Sequence, residues 1–173
     1  MMNKKSLKTQ HQIENALFSL LKNHPYDSLS ISQITKHAGV SRMAFYRNYE
    51  QKDQILITFL RGQYQNFIDD LSMHKLTDFK DQLAVYFKFF KDHPDLMKLF
   101  LNAGLEGELL NQQTKFLKEL INYSHPNLKL PSYAISYQSG GIYMLLVWWV
   151  GHDYQKPVNE LLSYIESHIV LNN

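Results

Sequence analysis

Residues 30–52 read SISQITKHAGVSRMAFYRNYEQK, and the parsing of that stretch decides the fold of the chain. Ser30 has the chemistry of an N-cap, and Ile31, Ile34 and Ala38 follow at helical spacing. Gly39 supplies the left-handed backbone that ends a helix, a conformation in which a Cβ is strained. Val40 gives the turn an apolar plug, and Ser41 caps a second helix expected from Arg42 to Tyr49. Two short helices joined through such a turn form a helix-turn-helix, whose second helix enters the major groove of DNA.

Upstream, Ile13, Ala16, Leu17, Leu20 and Leu21 form one stripe of a helix expected from Leu7 to Asn23. Packing Ile31, Ile34, Ala38, Val40, Phe45 and Tyr49 against that stripe closes a three-helix head. The outward side of the second helix is then Ser41, Arg42, Met43, Ala44, Tyr46, Arg47 and Asn48. A short, polar, basic face with one small residue suits DNA: a bidentate donor for guanine, methyl contacts, and hydroxyls or cations for phosphates. Lys4, Lys5 and Lys8 at the start of the first helix are placed to reach the same backbone.

Downstream the period stays helical. Ile55, Leu56, Phe59, Leu60, Phe67, Ile68 and Leu71 mark a long helix from about Glu50 to His74, spanning some 35 Å. Thr77 or Asp78 caps the next, His93-Pro94 breaks it and starts a short one, and Gly104 with Gly107 marks a loop. Leu109 to Tyr123, Pro131 to Val150, and a segment from Pro157 carrying Leu161, Leu162, Ile165, Ile169 and Val170 complete the set. No strand alternation or internal repeat is present. The expected fold is all-α: a helix-turn-helix head over residues 1–50 and a helical regulatory and dimerisation bundle over 51–173, about nine helices in all.

Composition agrees with one globular unit. At 173 residues with 45% hydrophobic and 20% charged side chains, disorder is not expected. A chain of about 150 residues buries roughly 70% of its unfolded surface. Cysteine is absent, which removes disulfides, thiolate metal sites and a cysteine nucleophile. No apolar run follows the basic N-terminus, and the run Ile142–Val150 is half the ~20 residues a bilayer crossing needs. A cytoplasmic protein with no membrane span is expected. Residues 1–50 carry seven Lys and Arg against three acids, a net +4, while the remainder carries eleven against thirteen, a net −2. Such an asymmetry fits a head that meets a polyanion.

Ser30-Ile31-x-x-Ile34, Ala38-Gly39-Val40-Ser41 and Phe45-Tyr46-x-x-Tyr49-x-x-Lys52 resemble the DNA-binding head of the tetracycline-repressor (TetR) family, over about residues 10–57. The resemblance implies a phosphate contact for Tyr46 and for Lys52 at the start of the fourth helix. It also implies phosphate-touching hydroxyls at Ser30 and Ser41, and a base-reading position at Arg42. Met43-Ala44 stands where that family often has Gly-Thr, so one hydroxyl contact is missing and a bulky thioether is added. Gly140-Gly141 followed by Trp148-Trp149 resembles the body of regulators related to activators of dihydroxyacetone-kinase operons.

Aromatics in the body at Phe59, Phe67, Tyr86 and Phe89, with Phe90, Phe100, Phe116 and Tyr143, either line a cavity for a small apolar or aromatic effector or form ordinary core. The last two helices are expected to pair with a second copy through Leu145, Trp148, Trp149, Leu161, Leu162 and Ile165. Eight histidines show no i, i+4 pair, Ser139-Gly140 lacks the context of a nucleophile elbow, and no phosphate loop is present. No metal, cofactor or catalysis is expected. The partners implied are double-stranded DNA, a second copy in a homodimer, and an effector. The sequence leaves two readings open: a ligand-responsive repressor on a palindromic operator, or a co-activator controlled by a protein partner without a small-molecule effector.

Overall fold

The computed structural model describes residues 4–74 and 76–168. Ile169 and Val170, and the side chains of Lys4 and Lys5, lie outside the described residues.

Among the described residues the chain is helical throughout, in nine α-helices and one 3-10 turn. α1 (Lys4–Leu21), α2 (Ile31–Ala38) and α3 (Arg42–Tyr46) form the head. Ile13, Leu17, Ile34 and Phe45 are fully buried there, as the helical spacing predicts. α3 is shorter than expected: it ends at Tyr46 and the chain turns, so that Tyr49 points back inward and its ring lies 5.5 Å from Phe45. The Tyr49 hydroxyl sits beside the Glu14 carboxylate, and burial followed by that charge raises its pKa.

α4 (Asp53–His74) runs about 33 Å and joins head to body, packing on α1 at one end and α7 at the other. The body adds α5 (Phe79–Asp92), α6 (Pro94–Asn102), α7 (Glu106–Ser124), α8 (Ser132–Gly151) and α9 (Val158–His168). Asp78 caps α5 by accepting from the Asp81 amide at 3.0 Å, and Pro94 occupies the first turn of α6, where its missing N–H costs nothing. Gly104 adopts φ 65 in the α6–α7 turn, whereas Gly107 lies inside α7 rather than in the loop.

A polar layer fixes the register of the body. The buried Tyr86 hydroxyl donates to Gln113 Oε1 at 2.6 Å, and Gln113 Nε2 donates to the Ser139 carbonyl at 2.8 Å. Thr114 Oγ1 donates to Ser139 Oγ at 2.8 Å. α5, α7 and α8 are thereby tied by directional bonds inside an otherwise apolar interior, where an unpaired polar group is expensive. Burial raises the pKa of Tyr64 and Tyr86, keeping both hydroxyls neutral at physiological pH.

The packing of the body bears on two expectations. First, the aromatics chiefly contact one another, which is the ordinary-core alternative. Tyr64, Phe67, Tyr86 and Phe116 pack on one another with centroids 5.1–6.2 Å apart, and Phe89 and Phe90 extend the cluster. Phe100 is fully buried and Tyr143 nearly so. Edge and tilted contacts between rings are favourable in themselves. Second, Trp149, Leu161, Leu162 and Ile165 are consumed inside the monomer, because α9 packs on α5 and Trp149 on Phe87. Of the residues assigned to a dimer face, Trp148 is exposed and Leu145 half-buried.

Candidate nucleic-acid interface

The helix-turn-helix is built by its caps. Ser30 Oγ accepts from the Gln33 amide at 3.3 Å, while Gln33 Oε1 accepts from the Ser30 amide at 2.9 Å, a reciprocal capping box. Gly39 takes φ 65, and the Val40 amide donates back to the Thr35 carbonyl at 3.0 Å. Ser41 Oγ accepts from the Ala44 amide at 3.1 Å and starts α3. Burial of Phe45 then fixes the rotation of α3 and turns Arg42, Met43, Tyr46 and Arg47 to solvent.

Met43 is 71% exposed and Tyr46 48%, with the Tyr46 ring braced edge-on against Phe45 at 5.4 Å. Both leave apolar surface open beside the cations of α3. Among the described residues no carboxylate forms an ion pair with Lys36, Arg42 or Arg47, so these cations face solvent uncompensated. Ser30 and Ser41 are exposed at the helix starts, and Ala44 is half-buried.

Asn48 and Lys52 are not placed like the others. Asn48 Nδ2 donates to the Ala44 carbonyl at 2.7 Å, and its Oδ1 accepts from Ser6, so Asn48 binds the end of α3 to the start of α1. The Lys52 ammonium donates to the carbonyls of Tyr26 at 2.8 Å and Leu29 at 3.1 Å and lies 4.0 Å from the Tyr26 ring centre. The Tyr26 hydroxyl in turn donates to Asp53. Two of the three ammonium protons are thus engaged and one remains. Lys52 and Asp53 together bolt the α1–α2 link, which includes the 3-10 turn Tyr26–Ser28, to the start of α4. Ser6, Tyr26 and Asp53 escaped the sequence reading, since each acts across 26 or more residues of chain and leaves no local periodicity.

Lys52→Met is expected to lower the unfolding free energy by about 2–3 kcal/mol, because two carbonyls lose a charged donor. Urea denaturation of the purified variant measures it, and a loss below about 0.5 kcal/mol would contradict the clamp.

A capped helix-turn-helix with an exposed, unpaired basic face, carried on a helical bundle, defines a DNA-binding regulator. Residues 13–58 match the family of bacterial regulatory proteins named tetR. That match covers the DNA-binding head, 46 of the 173 residues. It is 29% identical over 69 residues to the HTH-type dhaKLM operon transcriptional activator DhaS of Lactococcus lactis subsp. lactis (strain IL1403), a match spanning 40% of this chain and 37% of that one. Among solved structures, a dihydroxyacetone kinase operon activator DhaS superposes with TM-score 0.65 at 17% identity over 94% of both chains. The Thermus thermophilus repressor FadR in complex with lauroyl-CoA gives 0.63 at 14% identity over 93% of each. Bacillus subtilis FadR in complex with stearoyl-CoA gives 0.55 at 20% identity, over 94% of this chain and 99% of that one. At these identities the structural likenesses speak for the fold.

Among the described residues no helix is long and apolar enough to cross a membrane, and no group of three His, Asp or Glu could hold a metal ion.

Proposed function

We propose that the protein is a homodimeric transcriptional repressor that binds a palindromic operator in the cytoplasm, without catalysis, and is released by an effector. The observation that carries this reading is the uncompensated basic face of α3 beside the exposed Met43 and Tyr46. Residues 1–50 act as the reader and 51–173 as the regulatory and dimerisation unit. Arg42 reads a base edge, Met43 packs on a thymine methyl, and Tyr46 and Arg47 hold phosphates. Ser30, Ser41 and the remaining Lys52 proton add phosphate contacts, while Ala44 allows close approach and Asn48 sets the position of α3.

Dimerisation is supported by α8. Tyr133, Tyr137, Gly141, Met144 and Trp148 recur at helical spacing on one exposed stripe, and Tyr164 on α9 is exposed too. A Cβ added at Gly140 or Gly141 would meet nothing in the monomer, so no internal contact requires glycine there. Each costs about 1 kcal/mol relative to alanine in a helix interior. Close approach by the α8 of a second copy accounts for both. The two heads would then engage half-sites about 34–36 Å apart.

Purified protein is expected to retard promoter DNA from its own locus at ~50 mM salt, where phosphate-driven affinity is high; no retardation would end the reading. Arg42→Ala is expected to cost about 1–3 kcal/mol on the preferred sequence and to relax selection at one base pair. Arg47→Ala is expected to weaken all sequences alike and to lower the salt slope by about one. Selection from random DNA with each variant separates the two roles.

A second reading is favoured by the close packing of the body aromatics on one another: a co-activator switched by a protein partner, with no small-molecule effector. Co-purification of a stoichiometric heterocomplex that alters DNA occupancy distinguishes it from the first.

A further inference from the structure

The junction of head and body offers an effector a place apart from the packed aromatics of the body. A cavity of about 1080 Å³ lies between head and body, somewhat larger than most small-ligand sites. One wall is the end of α1 and the link after it; the other is α4 and α6. Phe18 on α1 and Phe59 on α4 form its aromatic floor, their ring centres 4.7 Å apart, with Leu21, Leu96 and Leu99 beside them. Phe59 is the one residue among the eight expected pocket aromatics that lines it.

The rim is charged, and its charges are unevenly compensated. Lys98 lies 3.8 Å from Asp153, and Asp92 pairs with Lys88. Asp27 and Asp95 have no ion-pair partner among the described residues, nor does Lys22. His24 and His93 complete the polar lining, with His93 Nδ1 facing the Phe89 carbonyl at 2.9 Å. Two free carboxylates against one free ammonium leave the rim net negative over an aromatic floor.

We propose that this cleft is the effector site, and that it takes a small aromatic cation whose ring stacks on Phe18 and Phe59 and whose ammonium lies at Asp27 and Asp95. The inference rests on the effector-responsive reading and deepens it. Tyr26 is both a wall of the cleft and the bolt to α4 through Asp53 and Lys52. A ligand held there touches the head and the body at once. It favours one angle between them and changes affinity for two half-sites at fixed spacing. Only a differential preference of this kind shifts a population.

Dansylcadaverine and dansylglycine carry the same ring with opposite charge at pH 7 and serve as probes, their fluorescence read on titration into the full chain. The cation is expected to bind at least tenfold more tightly than the anion. Asp27→Asn with Asp95→Asn, both exposed positions, is expected to erase that preference, and Leu99→Trp to exclude both probes. Saturating dansylcadaverine is expected to change DNA affinity at least fivefold at constant ionic strength in the unaltered chain, and not in the double variant. Equal binding of the two probes, or a preference that survives the double substitution, overturns the site. Selective binding with unchanged DNA affinity overturns its role as the effector site. The titration uses no DNA, so failure of DNA retardation alone strikes the regulator reading and leaves the cleft's ligand selectivity to stand or fall separately.

Discussion

Trp149→Ala is expected to lower the unfolding free energy by about 3–5 kcal/mol, the range for truncating a fully buried large aromatic. Trp149 has no exposed surface, and its ring contacts Phe87 at 5.7 Å and Tyr154 at 5.0 Å. Its indole N–H donates to the Lys156 carbonyl at 2.8 Å, and the Tyr154 amide returns to the Trp149 carbonyl at 3.0 Å. Those bonds hold Asp153 and Tyr154 at φ 49 and 56, a left-handed pair that side-chain-bearing residues rarely adopt. The variant therefore loses packing, the indole hydrogen bond and the support for a strained corner. Tyr154 itself reaches the Pro94 carbonyl at 3.3 Å, and burial followed by Asp95 pushes its pKa up to about 12. Urea denaturation followed by circular dichroism measures the loss. The neighbour gives the control within one protomer: Trp148 is 40% exposed and stacks on His152 at 4.2 Å, so in a monomeric background Trp148→Ala is expected to change stability by less than about 1 kcal/mol.

Tyr137→Arg combined with Trp148→Arg is expected to leave the monomer folded and to abolish the dimer. Tyr137 is 83% exposed, so arginine there displaces no internal packing. Across a two-fold axis the same stripe meets itself, and each introduced charge would be buried without a designed partner, an expensive outcome. Joining two half-site contacts in one particle raises overall affinity by about 10²–10⁴, and the monomer forfeits that factor. Sedimentation shows the change in mass, and retardation of operator DNA shows the affinity. A variant that stays dimeric would move the interface off this stripe; one that becomes monomeric yet binds as before would remove the need for two heads.

The head was legible in the sequence because its determinants are local. Ser30, Gly39 and Ser41 each act within four residues of themselves, and each cap sits where the spacing places it. The buried set Ile13, Leu17, Ile34 and Phe45 follows from helical periodicity, which also leaves Arg42, Met43, Tyr46 and Arg47 on the far side. The exceptions are contacts across the chain. Asn48 belongs to Ser6, and Lys52 belongs to Tyr26 and Leu29, two backbone carbonyls that carry no trace in residue type.

In the body the pattern was less informative, because hydrophobicity says that a side chain is covered without saying by what. α8 is apolar on nearly every side, so its sequence could not sort Trp148 from Trp149. The same ambiguity applied to the aromatics, since a ring facing a cavity and a ring facing another ring read alike.

The helical class, the caps of the helix-turn-helix and the basic face are written in residue types and spacing, since each is set by chemistry within a few residues. Tertiary structure alone decided which aromatics fill the interior and which tryptophan stays open. It also opened the space between α1 and α6, because these depend on how helices far apart in the chain are brought together.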